Sequence, residues 1–346
     1  VIRLTQRAVR VWHLEKTMEV AYRPEGIYLP EIDLWLDPRE TVEHAWISHG
    51  HSDHARGRHA RILATEDTLR FYRMRWPEEP GVAQSLQALN YGESVEHRGA
   101  RLTAYPAGHI LGAAQLAIEY RGERLVYTGD LKLRPPLCGT ATEPVRCHRL
   151  ILEATFGLPI YHFLDREAAR ARIAEFARAT LADGGIPVFL GYALGRGQEI
   201  AQVLGEAGVP YRVHGAIAKF LPAYAARGYA FGEWSPYESR AGGGAALVVT
   251  PGLRRHLEAT GRDFRVAYVS GWAALANARA RAGAEELIPY SDHADFAELL
   301  ELAAAAEAER VDLVHGYTEP LARILRARGY DAHAAGQTMA RDEEAG

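Results

Sequence analysis

The segment His49-Gly50-His51-Ser52-Asp53-His54 constrains this chain more than any other. It gathers three imidazoles and a carboxylate within six residues, directly after the apolar run 45–47. A cluster so short cannot wrap one ion tetrahedrally with all four side chains, so the four are expected to divide between two ions, on a loop that follows a strand. Imidazole nitrogen and carboxylate oxygen suit zinc first and manganese second. A lone His-x-His reads as a solvated turn, but the added Asp53-His54 argues against that here.

Further ligand types recur in one context. His109 follows Ala107-Gly108, Asp130 follows Thr128-Gly129, Glu153 follows Ile151-Leu152, and His315 follows Leu313-Val314. Each stands just beyond an expected strand or tight turn. A sheet that collects ligands along one rim presents a metal site rigidly, whereas core histidines would fall at random along the elements.

The first 155 residues hold short apolar runs, at 45–47, 116–118, 125–127 and 150–152, that predict strands. From Asp165 the period changes: Ile173, Phe176, Ala177, Thr180 and Leu181 form one helical face that ends at Gly184-Gly185. A strand at 187–190, a helix at 198–205, a loose stretch through Ala241-Gly242-Gly243-Gly244 and a strand at 246–249 follow. The earlier style then returns. Asp295 caps a helix through Glu298, with Phe296, Leu299, Leu300 and Ala303 as its stripe, and 311–314 reads as a strand. No repeat or low-complexity linker separates these parts, so the middle segment is read as an insertion into one sheet domain.

A chain of 346 residues with 48% hydrophobic content suits two lobes. No apolar run approaches the roughly 20 residues that span a bilayer, and the arginines of 1–10 precede no apolar signal region, so a cytoplasmic protein with no membrane partner is expected. Cys138 and Cys147 lack zinc-ribbon spacing and read as structural thiols. The net charge of −4 gives no global attraction to a polyanion, so nucleic-acid contact would need local arginines.

The motifs His-x-His-x-Asp-His at 49–54, Ala-Gly-His109 and Thr-Gly-Asp130 resemble those of the metallo-β-lactamase superfamily in order and spacing. Glu153, His293 within Tyr290-Ser291-Asp292-His293-Ala294-Asp295, and His315 within Leu313-Val314-His315-Gly316 resemble the additional motifs of its β-CASP nuclease branch. Leu36-Asp37-Pro38, the run Glu153-Ala154-Thr155-Phe156-Gly157-Leu158-Pro159, and Ser270-Gly271-Trp272 are similar to bacterial DNA-ligase-associated exonucleases, often labelled mRNA 3′-end processing factors.

The resemblance implies an αββα sandwich in two parts, 1–159 and 287–336, with an inserted α/β lobe at 160–286 and a flexible tail at 337–346. It implies two divalent ions: His49, His51 and His109 hold one, Asp53, His54 and His315 the other, and Asp130 bridges. Asp37 would support the ligand loop by hydrogen bonds. The catalytic set would be Asp53, Asp130, His293 as proton donor and Glu153 orienting it. Gly195, Arg196 and Gly197 resemble a β-CASP word at a helix start and are expected to bind a phosphate.

The implied activity is DNA exonuclease action in repair, on single strands in preference to RNA, functionally beside a DNA ligase and helicase. An RNA-processing nuclease of the same fold, signalled by His315, and a catalytically silent scaffold subunit are the alternatives.

Overall fold

The computed structural model describes residues 17–77, 85–239, 243–259 and 262–335. The first ten residues, Ala241-Gly242 and the expected tail at 337–346 lie outside them.

Two sheets face one another. The first runs in the order Ala21–Arg23, Gly26–Leu29, Leu34–Leu36, His44–Trp46, Arg61–Ala64 and Ser85–Ala88. The second runs Asp331–Ala334, Arg310–Val314, Arg149–Glu153, Glu123–Tyr127, Ala114–Tyr120, Ala100–Pro106 and Ser94–His97. Alternation sets their inner faces: along Ala100–Pro106 the residues Ala100, Leu102 and Ala104 are buried while Arg101 is exposed. Leu29, Leu36 and Trp46 of the first sheet meet Leu102, Leu116, Leu125 and Ile151 of the second.

Helices close both outer faces. Leu69 and Tyr72 of Glu66–Arg75 pack on Ala45, Ile62 and Ala64. Leu299 and Leu302 of Phe296–Ala305, with Leu321 and Leu325 of Thr318–Ala327, belong to one core with Leu150, Leu152, Val311 and Leu313. The αββα sandwich expected from the motifs is the architecture of the chain.

The third sheet is inserted. Arg149–Glu153 and Arg310–Val314 are parallel neighbours, Leu152 opposite Leu313, and the chain between them builds a separate parallel sheet. Its order is Trp234–Pro236, Tyr211–Val213, Ala246–Val249, Ile186–Leu190, Phe264–Val269 and Glu286–Ile288. Ile186–Leu190 and Ala246–Val249 are buried at every position, as strands covered on both faces must be. The helices Arg166–Ala182 and Arg196–Glu206 supply Ile173, Ala177, Ile200 and Leu204 to the core that includes Phe189.

In the middle segment the elements depart from the sequence reading in two places. The stretch read as loose contains the strands Tyr211–Val213 and Trp234–Pro236 and the short helices Gly215–Ala218 and Leu221–Ala225, too brief to show a period. The last strand of the inserted sheet, Glu286–Ile288, runs past the boundary expected after residue 286. Among the described residues no helix is long and apolar enough to cross a membrane.

Candidate metal centre

The loop after His44–Trp46 carries His49, His51, Asp53 and His54 to the rim where the strands Ala100–Pro106, Glu123–Tyr127 and Arg310–Val314 also end. His109 reaches the same point from a tight turn at Gly108. A Cβ there would lie 2.1 Å from the Lys132 carbonyl oxygen, and φ is +74°, so the turn accepts only glycine.

One oxygen organises the cluster. Asp130 Oδ2 lies 3.5 Å from His49 Nε2, 3.3 Å from His54 Nε2, 3.8 Å from His109 Nε2 and 3.9 Å from His293 Nε2. His49, His51, His109 and Asp130 bring one donor atom each within 4.8 Å of one another. His51 Nδ1 and His109 Nε2 face each other at 3.0 Å. Their remaining nitrogens meet backbone carbonyls, His51 Nε2 at Leu194 O, 3.0 Å, and His109 Nδ1 at Asp292 O, 3.0 Å, which fixes the tautomers so that the facing nitrogens carry lone pairs.

The cluster fits divalent ions. His49 Nε2 is buried without a hydrogen-bond partner, while its Nδ1 lies 3.0 Å from the Ser48 hydroxyl. A buried donor set of neutral imidazoles and a carboxylate needs a cation to satisfy it. Burial, together with the neighbouring histidines, pushes His49 well below the ordinary imidazole range and His109 down to about 3, so both rings are neutral and free to ligate. Burial alone would raise the Asp130 carboxyl, but the positive charge available at His54 and His293 holds it well below the usual range.

The second half is built differently. Asp37, buried and with φ +43°, accepts from the Ser48 amide at 2.7 Å, the Ser48 hydroxyl at 2.5 Å and the Tyr127 hydroxyl at 2.8 Å, and pairs with His54 Nδ1 at 2.7 Å. Asp37 also stands within ligand reach of His49 and His54, and three of these four contacts fall on its Oδ2 and one on its Oδ1. His54 Nε2 is thereby turned toward Asp53, 3.6 Å away, whose side chain keeps 26% of its surface exposed. His315 places its ring centroid 5.5 Å from that of His54.

Beside the centre, His293 Nδ1 sits 3.1 Å from both oxygens of the buried Glu153. Burial opposes protonation of this ring, but the carboxylates of Glu153 and Asp130 outweigh it and hold His293 well above the ordinary range.

No protein-family model matches the chain. It is 34% identical over 319 residues to a probable DNA ligase of Opitutus terrae, an alignment that covers 90% of this chain and 30% of that protein. It is 28% identical over 217 residues to endoribonuclease YSH1 of Kluyveromyces lactis, covering 52% and 27%. A crystal structure of a protein of unknown function from Enterococcus faecalis V583 shares the fold, with TM-score 0.54, 15% identity, and 80% and 76% of the two chains covered. The chain thus spans under a third of the length of these two curated relatives.

In its motifs and its fold the chain resembles the β-CASP branch of the metallo-β-lactamase superfamily, and these likenesses are consistent with that branch.

The β-CASP lobe docks on the centre through Leu194-Gly195-Arg196, and here the sequence reading is corrected. Arg196 is not a phosphate fork: it is 1% exposed, its Nη1 donates to Glu199 at 2.8 Å and its Nη2 to Asp292 at 2.9 Å. The Gly195 amide donates to the Gln198 side chain at 2.6 Å and the Gly197 amide to Tyr192 O at 2.9 Å, so these two amides are also already committed. Sequence reasoning also missed Ser48 and Tyr127, which hold Asp37, and Lys132, whose ammonium reaches Ser291 O. Adjacency to His49 is a signal for Ser48; a carbonyl acceptor such as Leu194 O leaves none.

Proposed function

We propose that this chain is a two-metal phosphodiesterase that removes nucleotides from an end of single-stranded DNA, working with a DNA ligase. The observation that carries the phosphodiesterase reading is one carboxylate oxygen, Asp130 Oδ2, within 4 Å of four imidazole nitrogens, with the His293–Glu153 pair adjoining it. His49, His51 and His109 are assigned to one ion, Asp53, His54 and His315 to the other, with Asp130 between them. Zinc is the first choice for so imidazole-rich a set and manganese the second.

Two divalent ions, when bound, supply the positive charge that makes a water acidic near neutrality and offsets charge on the phosphoryl oxygens. The chain's own residues do the rest. Asp37 and the carbonyls of Leu194 and Asp292 orient the ligand rings. Glu153 holds the His293 Nδ1 proton, which leaves Nε2 directed at the centre to give a proton to the departing oxygen.

The DNA reading draws on the extent of likeness to a protein named as a probable DNA ligase, which reaches 90% of this chain. An RNA substrate is the second reading, favoured by His315 and by likeness to an endoribonuclease. End-labelled DNA and RNA strands, offered to protein of known metal content, separate them. Up to two zinc or manganese ions per chain and faster loss of label from DNA are expected. Asp130→Ala should abolish hydrolysis with the fold intact; normal activity in that variant would sink the two-metal reading.

A further inference from the structure

The two halves of the centre are supported from different places. The His54 half is held within the sandwich: Asp37, Ser48 and Tyr127 all lie in or next to its two facing sheets. The His51–His109 half leans on the inserted lobe. His51 Nε2 meets the carbonyl of Leu194, one residue before the Gly195-Arg196 turn. His109 Nδ1 meets the carbonyl of Asp292, whose side chain is the partner of Arg196.

The contact leaves no slack. Gly195 has φ +93°, and a Cβ there would lie 2.5 Å from Ile110 Cγ2 and 3.0 Å from Asp292 Oδ2, so the turn sits directly against the segment that follows His109. Arg196 spans the interface, its Nη1 on Glu199 of its own helix and its Nη2 on Asp292, with its guanidinium 4.8 Å from the centre of the Tyr290 ring. Lys132 pins the preceding residue through Ser291 O, and Glu153 pins the following one through His293. Among the described residues, therefore, Asp292 is the one of the three consecutive residues 291–293 that is fastened from the inserted lobe.

We propose that Arg196 is a positioning residue that couples docking of the inserted lobe to one half of the metal centre, so that the His49–His51–His109 ion is bound tightly only when the lobe is seated. This inference rests on the two-metal reading. Removing the Arg196–Asp292 pair frees the Asp292 backbone and lets the lobe turn shift, which loosens both carbonyls that set the His51 and His109 rings. Outer partners of ligating histidines typically carry a factor of about 10 to 100 in metal affinity.

The test measures ion affinity, by zinc titration against a chromophoric chelator, in two backgrounds. In His54→Ala protein only the His49–His51–His109 half can take an ion; in His109→Ala protein only the other half can. Asp292→Asn or Arg196→Lys should weaken zinc about 10- to 100-fold in the first background and leave it unchanged in the second. Because Arg196→Lys leaves a buried cation with shorter reach, Asp292→Asn, which keeps the side-chain volume and removes the charge that pairs with the guanidinium, serves as the milder variant. Circular dichroism and thermal midpoints of the metal-free proteins verify folding. Equal affinity with and without the substitutions, or equal losses in both backgrounds, overturns the coupling. Wild-type protein that binds no ion at all would overturn the two-metal reading, and the coupling with it.

Discussion

At the scale of single residues, the proposed centre divides residues assigned to hold ions from one assigned to transfer a proton. His293 touches Glu153 with one nitrogen and faces Asp130 with the other. His293→Ala should therefore leave two ions per chain while slowing cleavage by about 10²- to 10⁴-fold, the usual worth of a general acid. A substrate with a better leaving group should recover part of that loss, and equal defects on good and poor leaving groups would argue against the acid role. The ligand types were legible because their chemistry is concentrated: four candidate ligands in six residues, and single ones placed after apolar runs. Arg196 was misread because a glycine-flanked arginine at a helix start looks the same in sequence whether its fork meets a phosphate or a buried carboxylate. Its partner Asp292 stands 96 positions away, a distance at which sequence offers no pairing signal.

At the scale of elements, the long periodic segments were legible and the short ones were not. Asp295 caps its helix as the sequence indicates, in a reciprocal box with Glu298, and Asp165, where the period changes, is the cap of the helix that follows it. The helices Glu66–Arg75 and Thr318–Ala327 were left unread, although Leu321, Ala322 and Leu325 of the second stand at helical spacing, and the strand Tyr211–Val213 escaped because three residues present no period. Strand Arg310–Val314 carries a charge in the sandwich core. Its Asp312 receives the Tyr22 hydroxyl at 2.7 Å, Arg149 Nε at 2.7 Å and Arg310 Nε at 2.9 Å, joining two parallel strands and the first hairpin. Burial would raise this carboxyl, but Arg149 and the other donors prevail and hold it below the ordinary range. A depressed folded-state pKa stabilises fully above the unfolded value, near 3.9, and that stabilisation fades as pH falls through the folded value. Asp312→Asn should cost about 3 kcal/mol at neutral pH by leaving Arg149 uncompensated, and should flatten the decline of the urea midpoint below about pH 4. An acid limb as steep as that of the wild type would show that other carboxylates govern it.

At the scale of the whole molecule, the insertion was legible as a change of period without a linker, while the manner of its docking was not. Its seat over the centre involves the Leu194 carbonyl, the Arg196–Asp292 pair, and outlying contacts such as Arg227 with Asp67 and the Tyr229 hydroxyl with the Gly139 amide. With the lobe seated, His49, His109 and Asp130 are buried, and Asp53 is the most open of the acidic groups around the centre. On the proposed two-metal reading, a substrate would have to be thin where it meets the ions. A duplex, stiff over about 150 base pairs, cannot bend sharply into such a space at low cost, whereas one strand can thread from its end. On the same reading, the seated lobe should disfavour internal cleavage, because a continuous strand would reach the ions only if the lobe lifts. Linear single-stranded DNA should accordingly lose nucleotides while a covalently closed circle of the same sequence survives, at equal metal loading and salt. Rapid nicking of the circle would exclude strict end-dependent action and would mean that the lobe opens widely. Matched RNA completes the comparison: degradation of the RNA strand much faster than the DNA strand would transfer the assignment to RNA processing, with the two-metal chemistry unchanged.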